Sequence, residues 1–128
     1  MEGRAMRTLT LLIALAVLAL PAVASGKENP GVVKSGRCSN GATWKLKAKN
    51  DDARIEVEFE VDQNVVGRRW NVTLKRDGAV VFRGVRVTRA PSGSFSITRR
   101  IANPGGADRV VATAKTAAGG TCGAALTV

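Results

Sequence analysis

Hydrophobic and polar positions alternate with a period of two through most of the chain after residue 42. In the clearest segment, residues 54–61, every second residue is apolar: Ile55, Val57, Phe59 and Val61. Successive side chains of a β-strand point to opposite faces of a sheet, so this pattern predicts half-buried strands. The same alternation, complete or in part, runs through residues 43–49, 69–75, 79–82, 85–87, 94–101, 109–115 and 122–128.

Residues that favour turns separate these segments. Asp77-Gly78 is a strong hairpin signal, and residues 90–93, 103–106 and 117–120 are rich in Gly, Pro, Ser, Asn or Ala. About seven short strands with such turns predict an all-β domain, a single antiparallel sandwich of the Ig-like or fibronectin-like kind. Gly84 interrupts the alternation, and we interpret it as a bulge or a switch between sheets.

The first two patterned segments are predicted to form a hairpin through Asn50-Asp51-Asp52. Two registers place apolar residues opposite apolar residues, with Lys49 opposite either Arg54 or Glu56. Both registers also set lysines across from glutamates, which stabilises an antiparallel pair. The charges of this hairpin therefore have a structural explanation.

The first 24 residues have the pattern of a cleavable signal peptide. Arg4 and Arg7 precede an aliphatic run from Leu9 to Leu20, and Ala22-Val23-Ala24 offers a cleavage site after Ala24. A permanent membrane anchor is the alternative, but the run is shorter than the ~20 residues of a spanning helix. We therefore predict a secreted, extracellular protein that is not an integral membrane protein.

The remaining chain divides into a leader and one domain. Residues 25–36 are rich in Gly, Ser, Pro and charge without periodicity, which predicts a flexible leader. Residues 37–128 are predicted to form the sandwich, and their number suits a domain with one hydrophobic core. Cys38 and Cys122 are the two cysteines of the chain, and in an exported protein they are expected to form a disulfide.

The composition argues against catalysis. The chain contains no histidine and no tyrosine, which removes histidine-based nucleophile pairs and nearly all zinc sites. An exposed strand face opposite lysines is expected to hold Glu56, Glu58 and Glu60. Such a face lacks the burial that turns a carboxyl group into a general acid. We predict no catalytic residues, no metal site and no cofactor.

The positive charge is concentrated in the second half of the chain. The formal net charge is +10, and residues 68–128 carry eleven basic side chains but only Asp77 and Asp108 as acids. Arginine binds phosphate and carboxylate groups with two parallel hydrogen bonds. The candidate anion-binding residues are Arg68, Arg69, Arg83, Arg86, Arg89, Arg99 and Arg100.

These arginines admit two interpretations. If several share one face, they would attract an extracellular polyanion such as an anionic polymer of the cell envelope; otherwise they form a solvated surface. Nucleic-acid motifs are absent and aromatic residues are few, so sequence-specific nucleic-acid binding is not expected. Trp44 and Trp70 fall in the apolar phase of their strands and are predicted to lie in the core rather than to stack on sugars.

Four stretches of the sequence resemble a group of uncharacterised small secreted actinobacterial proteins. They are CSNGATWKLKAK, IEVEFEVDQNVVGRRWNVTL, RAPSGSFSITRR and GADRVVATAK with the following TCGAAL, and together they span nearly all of residues 38–126. The resemblance implies an Ig-like sandwich outside the cell and carries no activity. The function expected is a monomeric, non-enzymatic binding or structural module. The alternative is a protein-directed module, an inhibitor or adhesin acting through sheet edges or loops such as residues 62–68.

Overall fold

The strands of the computed structural model form two antiparallel four-stranded sheets. The model describes Gly3 and residues 31–128, so the predicted signal peptide lies, apart from Gly3, outside the described residues. The strands are β1 (Val32–Arg37), β2 (Thr43–Asp51), β3 (Arg54–Asp62), β4 (Arg69–Arg76), β5 (Ala79–Val87), β6 (Ser94–Ala102), β7 (Arg109–Thr116) and β8 (Thr121–Thr127). The first sheet has the order β1-β2-β3-β6 and the second the order β5-β4-β7-β8.

The two sheets bury their apolar faces against each other, which confirms the predicted β-sandwich. In β3, every second residue from Ile55 to Val61 is fully buried, whereas the charged residues between them reach solvent. The chain crosses between the sheets from β3 to β4, from β5 to β6 and from β6 to β7. Trp70 on β4 is fully buried and packs against Phe95 of the other sheet, as expected for a core tryptophan of an Ig-like fold.

The β2–β3 hairpin has one of the two predicted registers. Lys49 lies opposite Glu56, and the two preceding lysines of β2 lie opposite Glu58 and Glu60. The Nζ atom of Lys49 is 4.0 Å from Oε1 of Glu56. This register keeps every apolar residue of the hairpin on the buried face, because a slip by one residue would turn the lysines inward.

Two predictions about local structure were wrong. Residues 32–36, assigned to a flexible leader, belong to β1, which pairs with β2 from Val32 opposite Ala48 to Arg37 opposite Thr43. The backbone hydrogen bonds of an edge strand do not need an alternating sequence, so the pattern did not predict this eighth strand. Residues 25–30 lie outside the described residues.

Gly84 is neither a bulge nor a switch between sheets. It lies in register opposite Val72, and the irregularity of β5 is at Val81, which has no partner on β4. A Cβ atom at Gly84 would lie 2.8 Å from Cζ of Phe82. The glycine is therefore explained by the aromatic ring that lies over it.

The predicted disulfide between Cys38 and Cys122 is confirmed, with the two Cα atoms 4.3 Å apart. It connects the turn before β2 to the start of β8, and the backbone N–H of Ser39 donates a hydrogen bond to the carbonyl of Thr121 beside it. The β1 and β8 edges also pack against each other. This side of the sandwich is therefore closed, while β5 and β6 form the opposite, open side.

Replacing both cysteines, Cys38→Ala with Cys122→Ala, is expected to lower the free energy of unfolding by about 2–5 kcal/mol, because the bridge closes a long loop. The loop spans 84 positions of the sequence. Urea unfolding of the variant and of the oxidised protein at the same pH measures the difference. A loss below about 1 kcal/mol would contradict a stabilising role for this bridge.

Asp108 is a buried carboxyl group that the sequence analysis did not identify. It is 1% exposed, and neither of its carboxyl oxygens receives a hydrogen bond within the described part of the chain. Burial raises the pKa of Asp108, and the neighbouring carboxylate of Asp77 raises it further, through the hydrogen bond that a protonated Asp108 would donate to it and through its negative charge. The positive charge of Arg76 acts in the opposite direction.

Because its folded-state pKa is raised, Asp108 makes stability depend on pH. Between the unfolded pKa near 3.9 and the raised folded value, only the folded state holds the proton, so stability falls as pH rises. Asp108→Asn keeps a donor for Asp77 and cannot ionise. We expect the Asp108→Asn variant to have a higher free energy of unfolding than the native protein. The difference should be smallest near pH 3 and should increase toward neutral pH.

Urea unfolding between pH 3 and pH 7 measures this gain. Asp52→Asn is the matched control, because Asp52 lies exposed in the β2–β3 turn with a positive φ of 54° that asparagine also tolerates. A difference between Asp108→Asn and the native protein that stays constant with pH would contradict the assignment.

Candidate functional site

The outer face of the second sheet is positively charged and free of carboxylates. None of the four strands of this sheet contains an aspartate or a glutamate. Five exposed basic residues point outward, because they alternate with buried core residues on β4 and β7 and with the half-buried Phe82 and Gly84 on β5. We call this surface the basic face, and its residues are Arg69, Lys75, Arg83, Arg109 and Lys115.

The outer face of the first sheet has a balanced charge. Its lysines on β2 lie beside the glutamates on β3, and Arg100 on β6 lies opposite Glu56. Nη2 of Arg100 is also 2.9 Å from Oδ2 of Asp51. The two outer faces of the sandwich therefore differ in charge, and this difference follows from which strands enter which sheet.

The structure divides the seven predicted anion-binding arginines among four places. Arg69 and Arg83 lie on the basic face, whereas Arg100 lies on the balanced face and is paired with Asp51. Arg68 and Arg89 lie in the segments just before β4 and just after β5. Arg86 and Arg99 lie on the open side, between the two sheets, so the seven do not form one cluster.

Arg86 and Arg99 lie at positions whose side chains are directed toward the opposite sheet. Arg86 is opposite Trp70 on β4, and Arg99 is opposite Val57 on β3, both of them core residues. Their guanidinium carbons are 5.3 Å and 4.4 Å from the ring centroid of Phe82. One aromatic ring at the open side therefore contacts two cationic groups from two different strands.

Phe82, Arg86 and Arg99 are called the Phe82 cluster below. A cleft of about 490 Å³ lies at the end of the open side, and Arg86 is the member of this cluster that lines it. Its walls are the last residues of β5 and the first residues of β6: Val85, Arg86, Val87, Arg89, Ser94, Phe95 and Ser96. The backbone of Arg89 pairs with that of Ser94 and closes one end of the cleft. The lining contains two arginines and two serine hydroxyls but no acidic side chain.

The loop of residues 63–68, a predicted contact surface for a protein partner, is held in place by Thr88. The buried hydroxyl of Thr88 donates to the carbonyl of Val65 at 2.6 Å and accepts from the N–H of Arg68 at 2.8 Å. Nε1 of Trp70 donates to Oε1 of Gln63 at 3.0 Å in the same loop. Val65 and Val66 remain exposed at its tip.

The two tryptophans have different environments. Trp70 is fully buried, which confirms its predicted place in the core. Trp44 is half-buried at the margin of the core, with its indole so close to Gly36 that a Cβ atom there would lie 2.6 Å from Cζ2. Trp44 is thus covered on one side by the backbone of β1.

The sequence analysis missed the Phe82 cluster, although its pattern contains a signal for it. In β6, Phe95, Ile97 and Ile101 form one alternating set, and Arg99 occupies the position between the last two. An arginine in the apolar phase of a strand indicates an edge position, where a long side chain can reach solvent. The pairing with Phe82 depends on which strands form the edges, which the pattern did not determine.

Comparison with known protein families, with curated proteins and with solved structures gave no match for this chain. Within the described residues, no helix is long and apolar enough to cross a membrane, and no group of three or more metal-binding side chains occurs. The resemblance to secreted actinobacterial proteins therefore stays a prediction.

Replacing Thr88 with valine is expected to lower the free energy of unfolding by roughly 1–3 kcal/mol, because the partly buried carbonyl of Val65 and N–H of Arg68 lose their hydroxyl partner. Thr88→Ser keeps that hydroxyl and serves as the control. Hydrogen exchange of the Arg68 amide measures the local effect, which should appear in the valine variant alone. Equal exchange rates in the two variants would contradict the role of the hydroxyl.

Proposed function

We propose that this protein is a secreted, non-enzymatic module that binds an anionic polymer of the cell envelope through its basic face. The observation that carries the proposal is the absence of any acidic residue from the four strands of the second sheet, which present five exposed cations. A field of one sign attracts polyanions and concentrates them at the surface. The first sheet, whose lysines lie opposite glutamates, gives an internal comparison.

The spacing of the basic face suits an extended polymer rather than a compact ligand. Arg83 on β5 lies directly beside Thr73 on β4, and Arg69 and Lys115 are on β4 and the adjacent β7. Neighbouring strands are about 4.8 Å apart, so these cations are spread over three strands of a flat surface. A chain of repeated anionic groups can contact several of them at once, whereas one small anion cannot.

Two observations support the extracellular part of the proposal. The Cys38–Cys122 disulfide is typical of proteins from oxidising compartments. The first 24 residues have the composition of a signal peptide with cleavage after Ala24. All eight strands and the disulfide lie within residues 32–127, so residues 25–128 are the unit to study.

The double variant Arg69→Gln with Arg83→Gln is expected to weaken binding to immobilised wall teichoic acid. A basic residue at an anionic surface contributes about 1 kcal/mol, so the loss of two should raise Kd roughly 10- to 30-fold. Binding of the unaltered protein should also decrease steeply as the salt concentration rises from 50 to 300 mM, because the screening length shortens by roughly a factor of two. Surface plasmon resonance across a salt series measures both effects.

The matched control is Lys45→Gln with Lys47→Gln, which removes the same charge from the first sheet, where these lysines lie opposite Glu60 and Glu58. It should change Kd less than threefold or so, since it leaves the basic face intact. An equal loss in both variants would assign binding to net charge and overturn the basic face. Absence of binding at low salt would overturn the function itself and leave the loop of residues 63–68 as a contact for a protein partner.

A further inference from the structure

We infer that the open side between β5 and β6 is a subsite for a tetrahedral oxyanion, either a phosphate or a sulfate group. This group would belong to the anionic polymer of the proposed function, on which this inference rests. The residues that would hold the group are Arg86 and Arg99, and Arg89 lies in the adjoining cleft that Arg86 also lines. The basic face would supply general attraction, and the open side would supply chemical selectivity.

The first argument is the position of two unpaired cations beside one ring. The ion pairs among the described residues are Lys49–Glu56 and Arg100–Asp51, and neither includes Arg86 or Arg99. Both guanidinium groups lie within 5.3 Å of the Phe82 ring centroid. Two cations on one ring raise the local positive potential, and an anion beside them lowers it.

The second argument is the direction of the available donors. A guanidinium group placed over the face of a ring keeps its N–H donors in its own plane, free to reach an oxyanion. Nη1 of Arg86 uses one donor on the carbonyl of Val85, at 2.9 Å, which fixes the group at the cleft wall. The contacts that the described residues give Arg86 are this carbonyl and the Phe82 ring, and the contact given for Arg99 is the same ring.

The third argument is the chemistry of the adjoining cleft. Arg89 adds one more cation to the wall that Arg86 already lines, whereas Ser94 and Ser96 line it from strand positions opposite Asp62 and Glu60. Oγ of Ser94 is 2.6 Å from Oγ of Ser92, so its hydroxyl is oriented by a neighbour. Phe95 and the exposed side chains of Val85 and Val87 form the apolar part of the wall.

These donors fit a tetrahedral group better than a carboxylate. A carboxylate has two oxygens in one plane, and a single arginine fork occupies both of them. Phosphate and sulfate groups have oxygens that point in several directions and can accept from two forks on different strands. Arg86 and Arg99 come from different sheets, so they approach a shared ligand from two sides.

The test compares three polymers of similar length and charge: polyphosphate, dextran sulfate and polygalacturonate. Residues 25–128 should bind both tetrahedral-anion polymers at least about tenfold more tightly than the carboxylate polymer. Phosphate preferred over sulfate, or the reverse, identifies the source of the group. Equal affinity for all three would overturn the subsite while leaving the basic face as the binding surface.

The variant Arg86→Lys with Arg99→Lys keeps both charges but removes the two planar forks, since an ammonium group cannot donate two parallel hydrogen bonds. It should abolish the preference for tetrahedral anions while retaining most of the affinity for polygalacturonate. Lys45→Gln with Lys47→Gln is the control and should keep the preference. A lysine variant that still discriminates among the polymers would overturn the role of the arginines.

A small probe tests the site independently of the polymer. Titration with phenyl phosphate, followed by NMR of the arginine Nε–H groups, should shift Arg86 and Arg99 and leave Arg100, which is paired with Asp51, unchanged. The result of this titration does not depend on whether the polymer binds to the basic face. Shifts confined to residues of the basic face would overturn the subsite. Circular dichroism and melting of each variant confirm that it is folded.

Discussion

The structure depends on one constraint: each strand must place its apolar residues in the same phase, because both sheets bury one face only. Strand β3 obeys it completely, β4 obeys it up to Lys75 and β7 up to Lys115, and most of the core results from that agreement. The same constraint decides where charge can go. The outward phase of β2 and β3 holds lysines against glutamates, and the outward phase of β4, β5 and β7 holds cations without acids.

The exceptions to this phase lie where the constraint is weakest. Arg86 and Arg99 occupy inward positions on β5 and β6, the two strands that form the edges of the open side. A long side chain at such an edge can bury its methylene groups beside Phe82 and still expose its charge. On the opposite side, the disulfide and the β1–β8 contact join the two sheets. The candidate subsite is thus a product of the asymmetry between the two sides.

Most of the fold followed from the alternation and the turns. Residues 54–61 specify a strand and one buried face, and Asp77-Gly78 adopts positive φ angles of 47° and 84° as its hairpin requires. β1 could not be predicted, because its pairing relies on backbone groups and Val33 on its surface is exposed. The burial of Asp108 and the meeting of Arg86 with Arg99 depend on contacts between distant segments, and a local pattern contains no information about them.

The inward arginines have a consequence for the protein in concentrated solution. An unpaired edge strand such as β5, with Val80, Val85 and Val87 exposed, offers backbone groups to which a second copy could add a strand. Charged side chains that point into the gap between edges are a known means by which β-proteins avoid such association. Arg86 and Arg99 place two such charges at the edges of the open side, so the side chains proposed to hold an anion are also of the kind that opposes edge-to-edge pairing.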